Sequence, residues 1–214
     1  MSDCVVIVPM LGRAEQVARL VASLGASTDR ARLLFAITDG DDAVAEAVAD
    51  HDHLKFSPRA RGDYAAKVNA AVAASDEPLI FTGAIDLHFH PGWLETCEAL
   101  LTEQVRVIGT NDLANERTAH GHSTHTLVVR DYTALGLIDH RPGLLCEDYI
   151  HEYVDDELVG TATARGAYAH APDAIVEHLH PMAGKAEWDA SYLMMRRRMI
   201  ADRSLYRERS ALWT

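Results

Sequence analysis

Apolar runs and amphipathic stretches alternate along the first half of the chain. Cys4-Val5-Val6-Ile7-Val8-Pro9 is unbroken and β-branched, the pattern of a strand buried on both faces. Pro9-Met10-Leu11-Gly12-Arg13 ends it. Val17, Leu20, Val21 and Leu24 then recur at helical spacing, with Gly25 as a stop. Leu33-Leu34-Phe35-Ala36-Ile37 predicts a second buried strand. Its polar end, Thr38-Asp39-Gly40-Asp41-Asp42, suits the cap of a helix over residues 43–49. Leu54-Lys55-Phe56 predicts a third strand. Gly62 leads into a helix over 63–74, with Tyr64, Val68, Ala71 and Val72 facing inward. Pro78-Leu79-Ile80-Phe81 predicts a fourth strand, and Pro91 opens a helix expected to reach Glu103.

This βαβαβαβα order predicts a parallel sheet with helices on its faces. The pattern then changes. Strands are expected at 105–108 and 124–129, and a helix at 150–165 with Gly166 as its stop. Two short strands follow near 167–170 and 174–177, and a long helix near 186–209. With no linker and no repeat, the expectation is one α/β domain. Residues 1–104 form a nucleotide-binding half, 105–185 an acceptor half, and 186–214 a C-terminal helix.

Composition narrows the classes. The chain has 214 residues, 48% of them hydrophobic and 24% charged, which is enough for a core and argues against disorder. The net charge of −12 argues against a broad nucleic-acid surface. From Lys185 onward, seven basic and four acidic residues give +3, so the first 184 residues carry −15. That basic segment reads as a solvated helix face or as a patch for an anionic partner. Cys4, Cys97 and Cys146 have no C-x-x-C spacing, which predicts reduced thiols and a cytoplasmic protein. No apolar stretch approaches membrane-spanning length.

Candidate chemistry gathers at Phe81–Glu95. Thr82-Gly83-Ala84 leaves room for a close approach, and Asp86 then stands beyond the strand end, with His88 and His90 at alternating positions. Ligands of open α/β sheets bind beyond the carboxyl ends of strands, so an acid with imidazoles there is a candidate metal site. His88 shares a face with Asp86 if the chain stays extended. His90 reads as a cap for the Pro91 helix. Pro9–Arg13, Thr38–Asp42 and Gly62–Asn69 share the same predicted edge. There Asp39 can accept from a ribose or base. Arg13 and Lys67 can meet phosphate or carbonyl oxygens, and Asn69 can read a base edge. No G-x-G-x-x-G, P-loop or G-x-S-x-G motif is present. His151-Glu152-Tyr153-Val154-Asp155 lacks the second histidine of H-E-x-x-H and reads as polar helix surface.

With these residues in place, the chain resembles a GT-A glycosyltransferase of the family 2 type, and most closely the short enzymes of actinobacteriophages and their hosts. The likeness is carried by Val5–Pro9 with Arg13, Gly62–Asn69, Gly83–Asp86 with Phe89–Trp93, and Ile108–Asp112. It continues through His122–His125, Asp155–Glu157, Glu177–Pro181 and Gly184-Lys185. The resemblance implies a nucleotide-diphosphate-sugar donor, a divalent cation (Mn²⁺ or Mg²⁺) and a D-x-D motif. Aligned on Pro91-Gly92-Trp93, that motif falls on Ala84-Ile85-Asp86. Asp86 matches the metal-binding acid, and Ala84 replaces the first acid.

It further implies a metal or phosphate role for His178 or His180, with Lys185 closing over the diphosphate. Asp155 falls on the base position of an inverting enzyme, with Asp156 as substitute and Glu147-Asp148 as a rival pair. An acid at a helix start also complements the helix dipole. Asn111, Asp112, His122 and His125 are expected where sugar and acceptor meet. The acceptor hydroxyl stays open between a glycan, a virion protein and a hydroxymethylated DNA base. Two rival classes remain. One is a metallohydrolase on Asp86, His88, His178 and His180. The other is a donor-binding module weakened by Ala84.

Overall fold

The computed structural model describes residues 2–114, 117 and 121–213. The described strands form one eight-stranded sheet in the order β3-β2-β1-β4-β7-β6-β8-β5. These are β1 Cys4–Pro9, β2 Ala31–Thr38, β3 His53–Phe56, β4 Leu79–Thr82, β5 Leu87–Phe89, β6 Val107–Asn111, β7 Thr126–Val129 and β8 Tyr168–His178. The first four are parallel, so their carboxyl ends share one edge. β7 enters antiparallel between β4 and β6, and β6 runs parallel to β8. The expected parallel order therefore holds for β1 to β4 and changes beyond them.

Six α-helices are given bounds among the described residues: α1 Val17–Ser27, α2 Asp42–Ala47, α3 Asp63–Ala73, α4 Trp93–Glu98, α5 Val154–Ala164 and α6 Ala190–Ser210, the last packed on α5. The strand pleat sorts the core into two layers. Val6, Val8, Phe35, Ile37 and Phe81 pack under Leu20, Leu24 and Trp93 on one face. Val5, Ile7, Leu34, Ile80 and Val128 pack with Val68, Tyr149 and Leu158 on the other. The unbroken apolar reading of β1 follows from this two-sided burial.

Several expected boundaries move, each for a local reason. α4 starts at Trp93, because Gly92 takes a left-handed φ of 83° and cannot continue a helix from Pro91. α5 starts at Val154 rather than 150. The backbone N–H groups of Ile150, His151 and Glu152 donate to the buried carboxylate of Asp202, and Tyr153 is left-handed. The two short strands expected at 167–177 are one strand, β8, with an irregularity where its pairing to β6 jumps from Ala171 to Ile175. β5 is too short to have been legible. It pairs antiparallel with β8 and sets Leu87 opposite His178.

Gly62 caps α3 at a φ of 67°, and a Cβ there would stand 2.2 Å from the Glu147 carbonyl oxygen. Both a left-handed penalty and a backbone clash oppose any side chain. Gly62→Ala is expected to cost about 3 kcal/mol, a fall of roughly 10 °C in melting temperature by circular dichroism. An unchanged melt would contradict this packing.

Candidate active site

The carboxyl ends of β1, β2 and β4 share one edge of the sheet, and Asp86 lies just past β4. It is buried, and its Oδ2 is the focus of three contacts. Tyr192 Oη donates at 2.5 Å, Arg13 Nη1 donates at 3.0 Å, and His178 Nε2 lies at 3.3 Å. Among the described residues, Oδ1 takes no hydrogen bond from a side chain. Burial works against the charged carboxyl, yet His178, Tyr192 and Arg13 together hold it far below the usual carboxylate range. For His178 burial opposes the charged ring, and Asp86 overrides it and raises its pKa. A carboxylate oxygen and an imidazole nitrogen side by side are a donor set that a divalent cation takes, so Asp86 and His178 fit that group.

The rest of the Asp86 shell arrives from the far end of the chain. Asp189 caps α6 by accepting from Tyr192 N, and it also takes Arg13 Nε at 2.8 Å and Nη2 at 3.2 Å. The Arg13 guanidinium lies 3.8 Å above the Tyr192 ring. Asp189 and Tyr192 escaped the sequence reading. An Asp before a helix and a Tyr on its first turn look like ordinary structure, and they lie more than a hundred positions from Asp86.

The other expected residues separate into exposed and internal groups. Pro9 ends β1, and Asp39 stands exposed after β2, its carboxylate without a side-chain partner among the described residues. Ala84 lies in the turn before Asp86. Lys67 is fully buried, and its Nζ donates to the Met10 carbonyl at 2.8 Å and Thr38 Oγ1 at 2.7 Å beside Asp63. Asn69 spends its amide on Leu144, Leu145 and Glu147. Both therefore spend their polar atoms on bracing neighbouring segments at this sheet edge.

His88 is not gathered at Asp86. It sits on β5 opposite Glu177, its ring 5.1 Å from that of His90. The His90 ring contacts Glu177 at 3.2 Å. The His180 ring packs 4.6 Å from Tyr192, and its Nδ1 accepts from Met182 N. The metallohydrolase set of one acid and three histidines is therefore not assembled. Lys185 reaches Glu177 at 2.9 Å and the Leu113 carbonyl at 2.8 Å. Asn111 and Asp112 shape the turn after β6. Asn111 donates to the Pro172 carbonyl, and Asp112 accepts from Ala114 N and Thr124 Oγ1.

A second acidic centre opens α5. His122 Nε2 lies 3.6 Å from Asp155 Oδ2, and its Nδ1 lies 3.9 Å from Asp156 Oδ1. Their ligand atoms fall within 4.8 Å of one another, but the Arg117 guanidinium already bonds Asp156 and supplies the positive charge. Burial opposes the Asp155 charge, and His122 outweighs it, so Asp155 is held below its ordinary pKa. Burial and then Asp155 itself raise Asp156. The two centres act on one residue. The buried Tyr64 hydroxyl is pushed well up by burial, then by Asp155, then by Asp86, and it donates to the Gly83 carbonyl.

Two histidines, buried His125 and half-buried His151, give a pH signature. His125 donates from Nδ1 to the Thr82 carbonyl, its Nε2 is without a partner among the described residues, and its pKa is depressed by burial and then by His178. His151 is pushed down to about 4 by burial and Arg198. The unfolded chain binds these protons below about pH 6.5 and the folded chain does not, so stability falls as pH drops. His178 is protonated in both states below pH 6 and adds no slope there. Acidification from pH 6 to 4.5 is expected to cost about 2–4 kcal/mol in urea unfolding. A flat profile would contradict two rings held neutral in the fold.

The sequence matches no family model and no curated protein. Solved structures do match. A mannosyltransferase from Pyrobaculum calidifontis, in complex with GDP-Man and Mn²⁺, aligns over 97% of this chain at 17% identity and a TM-score of 0.63. This chain spans 62% of that enzyme's length. Glucosyl-3-phosphoglycerate synthase from Mycobacterium tuberculosis aligns over 96% of this chain and 80% of its own, at 12% identity and a TM-score of 0.63. S. aureus TarS 1–349 aligns over 94% and 72%, at 13% identity and 0.61. The chain has the α/β fold of these GT-A glycosyltransferases.

Proposed function

We propose that the chain transfers a glycosyl group, with inversion, from a nucleoside-diphosphate sugar to an acceptor hydroxyl. The observation that carries this reading is the Asp86–His178 pair at the carboxyl edge of a GT-A sheet, with the exposed Asp39 on the same edge. The mannosyltransferase neighbour holds GDP-Man and Mn²⁺, and the synthase neighbour has been seen with Mg²⁺ and UDP. Asp86 and His178 are the residues that would hold the cation. One oxygen and one imidazole nitrogen favour Mn²⁺ over Mg²⁺. Bound there, the cation supplies positive charge to the leaving diphosphate.

The chain's own groups do the rest. Arg13 turns its guanidinium from Asp86 to phosphate oxygens, and Asp39 accepts from the ribose or base. Lys67 and Asn69 brace neighbouring segments at the same edge. Lys185 contributes positive charge beside the diphosphate. Asp155 accepts the acceptor's proton, kept ionised by His122, while Arg117 fixes Asp156 next to it. His125, Asn111 and Asp112 shape the wall between the two centres. The acceptor class stays open between a glycan, a protein and a modified DNA base. The order of motifs supports kinship with short actinobacteriophage enzymes. Three buried, unpaired thiols support a reducing compartment such as the cytoplasm.

Release of nucleoside diphosphate from UDP-, GDP- and dTDP-sugars in Mn²⁺ tests the reading. Release is expected to rise with an acceptor, and Asp155→Ala is expected to remove that rise. Acceptor-independent release that survives Asp155→Ala would instead identify a hydrolase.

A further inference from the structure

The C-terminal segment, which carries +3 against −15 elsewhere, is sorted by the way α6 packs. Two of its four acids turn inward. Asp202 is fully buried on the 150–152 amides, and Asp189 is paired with Arg13. Arg198 and Arg209 also turn inward, to Glu152 and to Glu157 with Asp139. The outward face keeps Arg196, Arg197, Arg203 and Arg207, all exposed and without an ion-pair partner among the described residues. Glu208 is the exposed acid on this helix, and Glu187 precedes it.

Apolar residues share that face. Leu193 is 65% exposed and Ile200 62%, and their spacing of about two helical turns puts them on one line. At 100° per residue Arg197 falls on one side of the line, and Arg196, Arg203 and Arg207 on the other. Met194 lies exposed to one side of this line, and Trp188, before the helix, packs its ring against His180 and Tyr192.

We propose that the outer face of α6 docks on an anionic lipid bilayer. Leu193 and Ile200 would enter the headgroup boundary, and the four arginines would meet lipid phosphates with their stems along it. Charge selects this occupant. A second copy would set four arginines against four like charges. A nucleic-acid backbone gives no use for a central line of Leu193 and Ile200. A convex stripe without a groove suits a fluid plane that needs no shape complement. The strongly acidic body would be repelled by the same surface, which orients the molecule with α6 down. Tyr192 and Asp189, on the first turn of α6 and at its cap, touch Asp86 and Arg13, so docking would hold the Asp86 site near the lipid surface. The proposal stands whether or not that site transfers sugar.

The test is co-sedimentation of the intact chain with phosphatidylcholine vesicles, with and without about one part in three phosphatidylglycerol. Binding is expected to the anionic vesicles alone and to be lost at about 0.5 M salt. Arg197→Gln with Arg203→Gln is expected to weaken it roughly 25-fold, and Leu193→Ser with Ile200→Ser about tenfold or more. These exposed changes are expected to leave the melting temperature within a few degrees. Equal recovery on both vesicles, or indifference to either pair of substitutions, would overturn the proposal. So would single-stranded DNA binding that ignores Leu193→Ser and Ile200→Ser, which would make the face a polyanion surface. A dimer in sedimentation equilibrium dissolved by the same changes would identify a copy interface and overturn it too.

Discussion

Asp86→Asn is expected to lower glycosyl transfer by a factor of about 10³ or more, with loss of the Mn²⁺ dependence of donor binding. The expectation follows from how much converges on one carboxylate. Ala84 offers no second acid, so no neighbouring carboxylate in the motif can take over the cation. Asparagine keeps the shape and can still accept from Tyr192, but it cannot pair with Arg13 or stay within 3.3 Å of a charged His178 at equal energy. Stability carries a second signature. The folded pKa of Asp86 is depressed, so its stabilising contribution is complete above the unfolded value, about pH 3.9, and shrinks as pH falls below it. The stability gap between wild type and Asp86→Asn should therefore narrow on acidification through that point. A variant that binds donor and Mn²⁺ as well as wild type would remove Asp86 from the cation site.

Asp155→Asn is expected to lower kcat by about 10²–10⁴ while donor and Mn²⁺ affinity stay within a few-fold. A carboxylate at a helix start has a purely structural alternative, complementing the dipole, worth about 0.3–1 kcal/mol in stability and nothing in rate. The size of the kcat loss separates the two. The pH profile separates them again. His122 holds Asp155 below its ordinary pKa, so the acid limb of wild-type kcat/KM should lie below about pH 4. His122→Gln removes that support and should move the limb to higher pH. A variant at position 155 with full kcat would shift the role to Asp156 or away from this helix.

Much of this was legible from residue pattern, for identifiable reasons. Strands β1, β2 and β4 are buried on both faces and read as plain apolar runs. Asp86 stood out as an acid just past one of them. The short β5 carries one alternation of Leu87, His88 and Phe89, too little to tell a strand from a turn. Its antiparallel pairing with β8 decides that Leu87 faces His178 across the ladder and that His88 goes with Glu177. Long-range partners were invisible as well. Tyr192 meets Asp86, Asp202 fixes the approach to Asp155, and Lys67 turns inward only because Met10, Thr38 and Asp63 surround it. Each depends on how α3 packs on the sheet and α6 on α5, which no local spacing records.

The most direct measurement is calorimetric titration of UDP, GDP and dTDP and their sugars into wild type and Asp86→Asn, with and without Mn²⁺. Saturable binding of at least one nucleotide sugar by wild type, strengthened by Mn²⁺ and lost in Asp86→Asn, is the predicted result. No binding by any nucleotide or nucleotide sugar, with or without Mn²⁺, would contradict glycosyl transfer at this site.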